Sequence, residues 1–307
     1  MAELGTNNCL QGIVCASVTP FSKEREIDEV SLARLMEYLS NSGVDALFPL
    51  GTNGEGLLLS LKERIRVGEV ILQAVNGKIP VILHCGATTY RETLALLHHA
   101  KAAGASACSI ITPSFYPLSQ QALFEYFDCL LTEASGFPIY AYNIPSRTGN
   151  DLLPATLQKL AEKHRNLVGI KYSAQDLTRL CQYMAVPKTD VLLGCDRLIY
   201  PAMKMGAVGA ISGPCALMPD LFCMLRDAIN QGKDSMAQKL QTGLQKVSET
   251  LKKYQELPML KAGLVAMGIL KEDYCIAAFH SMSESEKQAM VTDVQTTIQA
   301  IRKELAQ

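Results

Sequence analysis

Three short stretches carry the residue types of covalent carbonyl chemistry. In LVGIKYSA (167–174) an apolar run stops at Lys171. Burial penalises an ammonium ion, so a lysine ending such a run is drawn from a reference pKa near 10.4 toward about 7 to 8, where the neutral amine is a nucleophile. An amine of that kind condenses with a ketone to give a Schiff base. Taken alone, Lys171 better suits a rim side chain that snorkels to water beside a carboxylate.

The second stretch, GTNGEG (51–56), has glycines for a tight turn and backbone amides that can face an anion, a carboxylate for example. It lacks the Gly-Lys-Ser/Thr of a nucleotide-phosphate loop and the spacing of a dinucleotide fingerprint. Plain turn glycines account for it equally well. The third, YNIPSRTG (142–149), offers the Tyr142 phenol as a proton carrier and the Arg147 fork as a carboxylate partner. A core-rim tyrosine and a solvated loop arginine are the plainer alternative.

These stretches are set within a regular alternation. Short apolar runs at 12–19, 46–50, 81–84, 107–111, 139–142, 167–171, 191–194 and 209–212 are each followed by a helical pattern, among them 32–39, 61–75, 93–103 and 157–164. Near-continuous hydrophobicity means strands covered on both faces, which is the pattern of a parallel sheet with external helices. Eight such units predict an α/β fold, a (β/α)8 TIM barrel over 1–231, rather than an open doubly wound sheet. Helices expected near 219–231, 234–254, 258–268 and 284–305 make 232–307 a C-terminal helical extension packed on the barrel. In a barrel the loops after the strands share one rim. That rim would hold Thr19, residues 51–55, His84, Thr112, Tyr142, Asn143, Lys171, Asp196 and Ser212.

The totals narrow the function. Of 307 residues 48% are hydrophobic and 19% charged, and 29 basic residues face 30 acidic ones, so no global field gathers nucleic acid or anionic lipid. No apolar run reaches membrane-spanning length, and MAELGTNNCLQG (1–12) lacks the features of an export signal, so a cytoplasmic location is expected. Ten cysteines without CxxC spacing suit reduced thiols; Cys85, Cys195 and Cys215 fall at or after strand ends and receive no role. His84, His98, His99, His164 and His280 form no metal-ligand motif.

In order and spacing, GIVCASVTPF (12–21), GTNGE (51–55), TPSFYPLS (112–119), YNIPSRTG (142–149) and GIKYSA (169–174) resemble the dihydrodipicolinate synthase and N-acetylneuraminate lyase family of pyruvate-dependent Schiff-base enzymes. The resemblance spans nearly the whole chain. It implies that Lys171 condenses with C2 of pyruvate or of a 2-keto-3-deoxy acid, and that Thr52 and Asn53 hold the pyruvyl carboxylate. It further implies that Tyr142 moves protons through the Thr52 hydroxyl, and that Tyr116 extends the relay from a neighbouring subunit. Gly194 and Ile211 would border the ketoacid, Ser173 and Asp196 would meet sugar hydroxyls, and Arg147 would receive a distal carboxylate. Neither metal nor organic cofactor is needed, and a homo-oligomer, dimer or tetramer, is implied.

The chain departs from the synthase pattern at Asn53, where a second threonine is usual, at Phe115, where tyrosine is usual, and over 256–261, where ELPMLK replaces an Asn-Pro and Pro-x-Lys pattern. Arg147 and Arg197 depart from the lyase pattern. Gly56, Leu57, Thr88 and Ser114 stand at the polar positions of lysine-inhibited synthases, so lysine inhibition is not expected. An aldolase acting on a 2-keto-3-deoxy sugar acid is placed first, a synthase condensing pyruvate with aspartate semialdehyde second. Two rivals of other classes are an inert ligand-binding barrel and a metal-dependent enzyme using His84, Glu55 and Asp196.

Overall fold

The computed structural model describes residues 10–253, 256–279 and 283–305. The N-terminal leader reading over 1–9, Cys9 and His280 lie outside them, as do 254–255, 281–282 and 306–307 within the helical tail. Eight strands alternate with helices: β1 (Gly12–Cys15), β2 (Ala46–Leu47), β3 (Ile82–His84), β4 (Ala107–Ile111), β5 (Ile139–Asn143), β6 (Leu167–Tyr172), β7 (Asp190–Leu193) and β8 (Gly209–Ser212). All pair in parallel in the order β2-β1-β8-β7-β6-β5-β4-β3. A parallel bridge between Leu47 and Val81 joins the two ends into a ring. The expected TIM barrel is therefore the observed fold.

Around it run α1 (Glu29–Ser40), α2 (Leu61–Val75), α3 (Tyr90–Ala102), α4 (Gln120–Glu133), α5 (Pro145–Thr148), α6 (Pro154–Lys163), α7 (Leu177–Met184), α8 (Ile199–Lys204) and α9 (Pro219–Asn230). The tail adds α10 (Asp234–Lys252), α11 (Glu256–Ala266) and α12 (Glu284–Leu305). No described helix is long and apolar enough to cross a membrane. Local chemistry sets the starts. Ser60 and Glu63 form a reciprocal capping box that opens α2 directly behind the GTNGEG loop, while Pro154 occupies the first turn of α6, where its missing N–H costs nothing.

Two apolar cores divide the strands' faces. Val14, Phe48, Tyr140, Tyr142, Val168, Leu192 and Ile211 fill the barrel interior, whereas Cys15, Leu47, Ala141, Ile170 and Leu193 face the helices. β1 and β2 are shorter than their apolar runs suggest. Beyond Leu47 the chain turns through Leu50, at φ 62°, into the GTNGEG loop, and the residues after Cys15 pack on that loop, with Thr19 Oγ1 donating to Gly54 O at 2.7 Å.

β6 is the irregular strand. Its pairing with β5 steps from Ile139–Leu167 to Tyr140–Gly169, leaving Val168 as the extra residue of a bulge. Strict alternation from Leu167, which faces outward, would also send Lys171 outward. The bulge reverses the parity beyond the inward Val168, so Ile170 and Tyr172 point out and Lys171 enters the barrel beside Phe48 and Tyr142.

Candidate active site

Lys171 ends the inner face of β6 with only 5% of its surface exposed. In register it stands between Tyr142 on β5 and Leu192 on β7. Its Nζ lies 4.0 Å from the Phe48 ring centroid and 4.2 Å from that of Tyr142. Loss of water lowers the Lys171 pKa from its ordinary value, while Tyr142 and Asp196 hold part of the charge in place. The amine is thus shifted toward its nucleophilic form. The rim-lysine alternative is displaced, since no carboxylate forms an ion pair with Lys171 among the described residues.

The Tyr142 hydroxyl is 3.2 Å from Thr52 Oγ1. Burial acts to raise its pKa, but Lys171, the hydrogen bonds from Thr52 and Ser173, and Arg147 outweigh it and the net shift is downward. A phenol beside an amine, each shifted toward proton exchange, is a general acid–base pair in waiting. Thr52 also walls a cavity of about 530 Å³, whose lining includes Asn53, His84, Ser114, Arg147, Glu256 and Phe279.

Gly194 gives the lysine its room. A Cβ there would fall 1.9 Å from Ser173 Oγ and 3.3 Å from Lys171 Cε. Gly194→Ala is therefore expected to displace both side chains, costing about 1–3 kcal/mol of stability by overpacking and at least about tenfold in turnover, as read by thermal melting beside a rate assay. Ile211 is a buried inner residue of β8. Asp196 follows β7, where Ser212 bonds its carboxyl; burial pushes its pKa up to about 7, with Glu256 adding to that rise and Lys252 and Lys171 opposing it. The tail helix α10 fixes this loop, Gln241 Nε2 donating to Asp196 O at 2.8 Å and Gln245 Nε2 to Arg197 O at 3.0 Å.

Tyr116 is not gathered into its own chain's cavity. It is 71% exposed, stacked edge-on against Phe115, while Ser114 is the residue of that loop that reaches the cavity wall. Phe115 takes φ 78°, and Asn150 clamps the loop by donating to Pro113 O and Tyr116 O, each at 2.8 Å. The metal set considered from sequence does not assemble: no three His, Cys, Asp or Glu side chains converge among the described residues, and Glu55 is bonded to Lys261 and Ala277 instead.

Sequence reasoning missed two contributors. Phe48 read as strand core, yet it forms with His84 and Tyr142 a three-ring cluster whose centroids lie 5.8 to 6.1 Å apart. His84 stands in the sequence as a rim residue and a candidate metal ligand, with no part in this ring cluster; its burial, with Arg64 and Lys171 nearby, lowers its pKa well below the usual value and keeps it neutral. The signal available was position, since both end or follow inner strands.

The model of the dihydrodipicolinate synthetase family matches residues 9–297. A 4-hydroxy-tetrahydrodipicolinate synthase of Geotalea daltonii is 34% identical over 284 residues, 92% of this chain and 97% of that protein. An N-acetylneuraminate lyase of Rhizobium meliloti is 34% identical over 261 residues, 85% of this chain and 86% of that one. The crystal structure of YagE, an E. coli K12 prophage protein of the dihydrodipicolinic acid synthase family in complex with pyruvate, superposes with a TM-score of 0.88 at 27% identity, covering 94% of this chain and 98% of that one.

Barrel, rim and relatives together define a (β/α)8 enzyme that makes or cleaves carbon–carbon bonds. More narrowly, the chain belongs to the dihydrodipicolinate synthetase family.

Proposed function

We propose that the protein joins pyruvate to an aldehyde, or reverses that step, through a Schiff base on Lys171. The observation that carries this reading is the amine packed between two rings, one of them bearing the phenol that meets Thr52. Neutral Nζ attacks pyruvate C2, and Tyr142, paired with Thr52, supplies the proton with which the carbinolamine oxygen leaves as water. The iminium then draws electrons from C3, which loses a proton to the Tyr142 phenolate and gives an enamine; C3 attacks the aldehyde carbon as Tyr142 returns that proton to the aldehyde oxygen, and water releases the product from Lys171. Thr52 and Asn53 hold the pyruvyl carboxylate at the cavity wall. The iminium is itself the electron sink, so the cycle closes without a metal or an organic cofactor. Gly194 and Ile211 border the ketoacid, and Tyr116, turned outward on its own chain, serves the cavity of a second copy in a homo-oligomer.

For the aldehyde, Arg147 in the cavity wall favours a partner bearing a carboxylate. This ranks condensation with aspartate semialdehyde above cleavage of a ketodeoxy sugar acid, reversing the order reached from sequence. The second reading retains Ser173 and Asp196, whose hydroxyl and carboxyl lie close to Tyr142 and Lys171. Condensation assayed with aspartate semialdehyde, beside pyruvate release from a panel of ketodeoxy acids, separates the two; activity confined to the panel would reverse the ranking. Arg147→Ala is expected to weaken use of the anionic aldehyde about 10- to 100-fold in kcat/KM, the worth of a charge-assisted pair, while leaving half-saturation by pyruvate within about threefold.

A further inference from the structure

The loop that carries Thr52 and Asn53 ends on Glu55, a residue in the left-handed region at φ 52° with 4% of its surface exposed. Its two carboxylate oxygens reach different parts of the C-terminal tail. Oε1 accepts from Lys261 Nζ of α11 at 2.6 Å, and Oε2 accepts from the backbone N–H of Ala277 at 2.8 Å. Lys261 is fully buried, donates a second bond to Tyr274 O at 2.7 Å, and lies 4.3 Å from the centroid of Phe21, just beyond β1. The contact spans 206 positions of sequence.

Burying two opposite charges is a poor way to gain stability, because the desolvation of each offsets their attraction and an apolar pair would serve the core as well. Directional bonds give something else. They fix the end of the loop against α11 and the 274–277 segment, while Thr19 holds Gly54 O from the β1 side. The loop is also shaped to leave no slack: a Cβ on Gly56 would fall 1.8 Å from Leu50 O, and a Cβ on Gly213 would fall 1.8 Å from Asn53 Nδ2. Asn53 is thus seated in a slot bounded by β8's following residue and reached by Leu260, the neighbour of Lys261.

We infer that Lys261 is a positioning residue of the active site: acting through Glu55, it sets the loop by which Thr52 and Asn53 receive the pyruvyl carboxylate. The helical tail is then part of the binding machinery. This deepens the proposed function and rests on its reading of residues 51–56 as the carboxylate loop.

The test uses the full chain, Lys261→Met, and the double variant Glu55→Gln/Lys261→Met, which leaves no unpaired charge behind. Amide hydrogen exchange of the peptide covering residues 50–60, without ligand, is expected to rise at least about tenfold in Lys261→Met, as a buried brace is lost. Half-saturating pyruvate in borohydride reduction is expected to rise about 10- to 100-fold, and the rate at saturation to fall as well, because Thr52 on the same loop pairs with the Tyr142 proton carrier. In the double variant the thermal midpoint recovers toward wild type while half-saturation stays raised. A merely structural pair would shift the melting temperature without raising half-saturating pyruvate. Unchanged exchange over 50–60, or pyruvate affinity restored with stability in the double variant, overturns the inference. If Lys261→Met does not fold, the double variant carries both readings. A wild-type chain that traps no pyruvate sinks the Schiff-base reading, and the exchange measurement still decides whether Lys261 orders the loop.

Discussion

Replacing Lys171 by methionine is expected to lower turnover by at least about a thousandfold and to abolish covalent capture of pyruvate, because a thioether has no electron pair that forms an imine with a ketone. The loss should not be a folding defect. Lys171 is enclosed by the Phe48 and Tyr142 rings, and methionine fills similar volume without the desolvation cost of a charge. Circular dichroism and thermal melting on the same preparation separate the two causes: the melting temperature should hold or rise while the rate collapses. Lys171→Arg is the companion that keeps a cation at similar reach and removes nucleophilicity, while adding a bulkier, permanently charged guanidinium.

Tyr142→Phe is the next largest expected effect, a loss of about 10²- to 10⁴-fold in kcat, which is the range for removal of a positioned proton carrier. The ring itself, and so the wall beside Lys171, is preserved. Its pH dependence is informative. Adduct formation needs the neutral amine, so its rate rises with pH and levels off once Lys171 has lost its proton; burial moves that point below the ordinary 10.5. Tyr142 works against burial by favouring the charged amine. Removing the hydroxyl removes that opposition, so the Lys171 pKa falls further. The rate–pH profile of Tyr142→Phe should therefore level off at lower pH than that of the wild type, and at a much lower plateau. A profile shifted to higher pH would contradict the arrangement. Stopped-flow measurement of adduct formation across pH supplies both quantities.

The barrel was legible because its determinants are local and repeated. Continuous apolar runs ended by turns, alternating with helical periods, can be packed in few ways once both faces of every strand must be covered. The run 107–111 and the strand β4 coincide, as do 209–212 and β8. Lys171 was legible as a polar residue ending an apolar strand, but the direction of its side chain was not. The bulge at Val168 depends on how β5 and β6 pair, and strict alternation would have turned the lysine out among the helices. Phe48 was hidden for the opposite reason: an aromatic in an apolar run looks like any core residue until its ring is seen against an amine.

The Glu55–Lys261 bond was the least visible feature. Both residues stood in motifs that had been read, GTNGE and ELPMLK, yet nothing local couples positions 206 apart. The second was noted only as a departure from the synthase pattern. Similarly, nothing local in the α10 sequence couples Gln241 and Gln245 to the Asp196 loop that they hold. The tail was predicted as helices and as an appendage; its grip on two rim loops is tertiary information.

Reduction with borohydride in the presence of pyruvate, followed by peptide mass analysis, tests the central claim most directly. The account predicts a gain of about 72 Da, the mass of a reduced pyruvyl imine, on the peptide containing Lys171 and on no other. Pyruvate-dependent turnover with Lys171 unmodified, or an adduct carried by a different lysine, would contradict it.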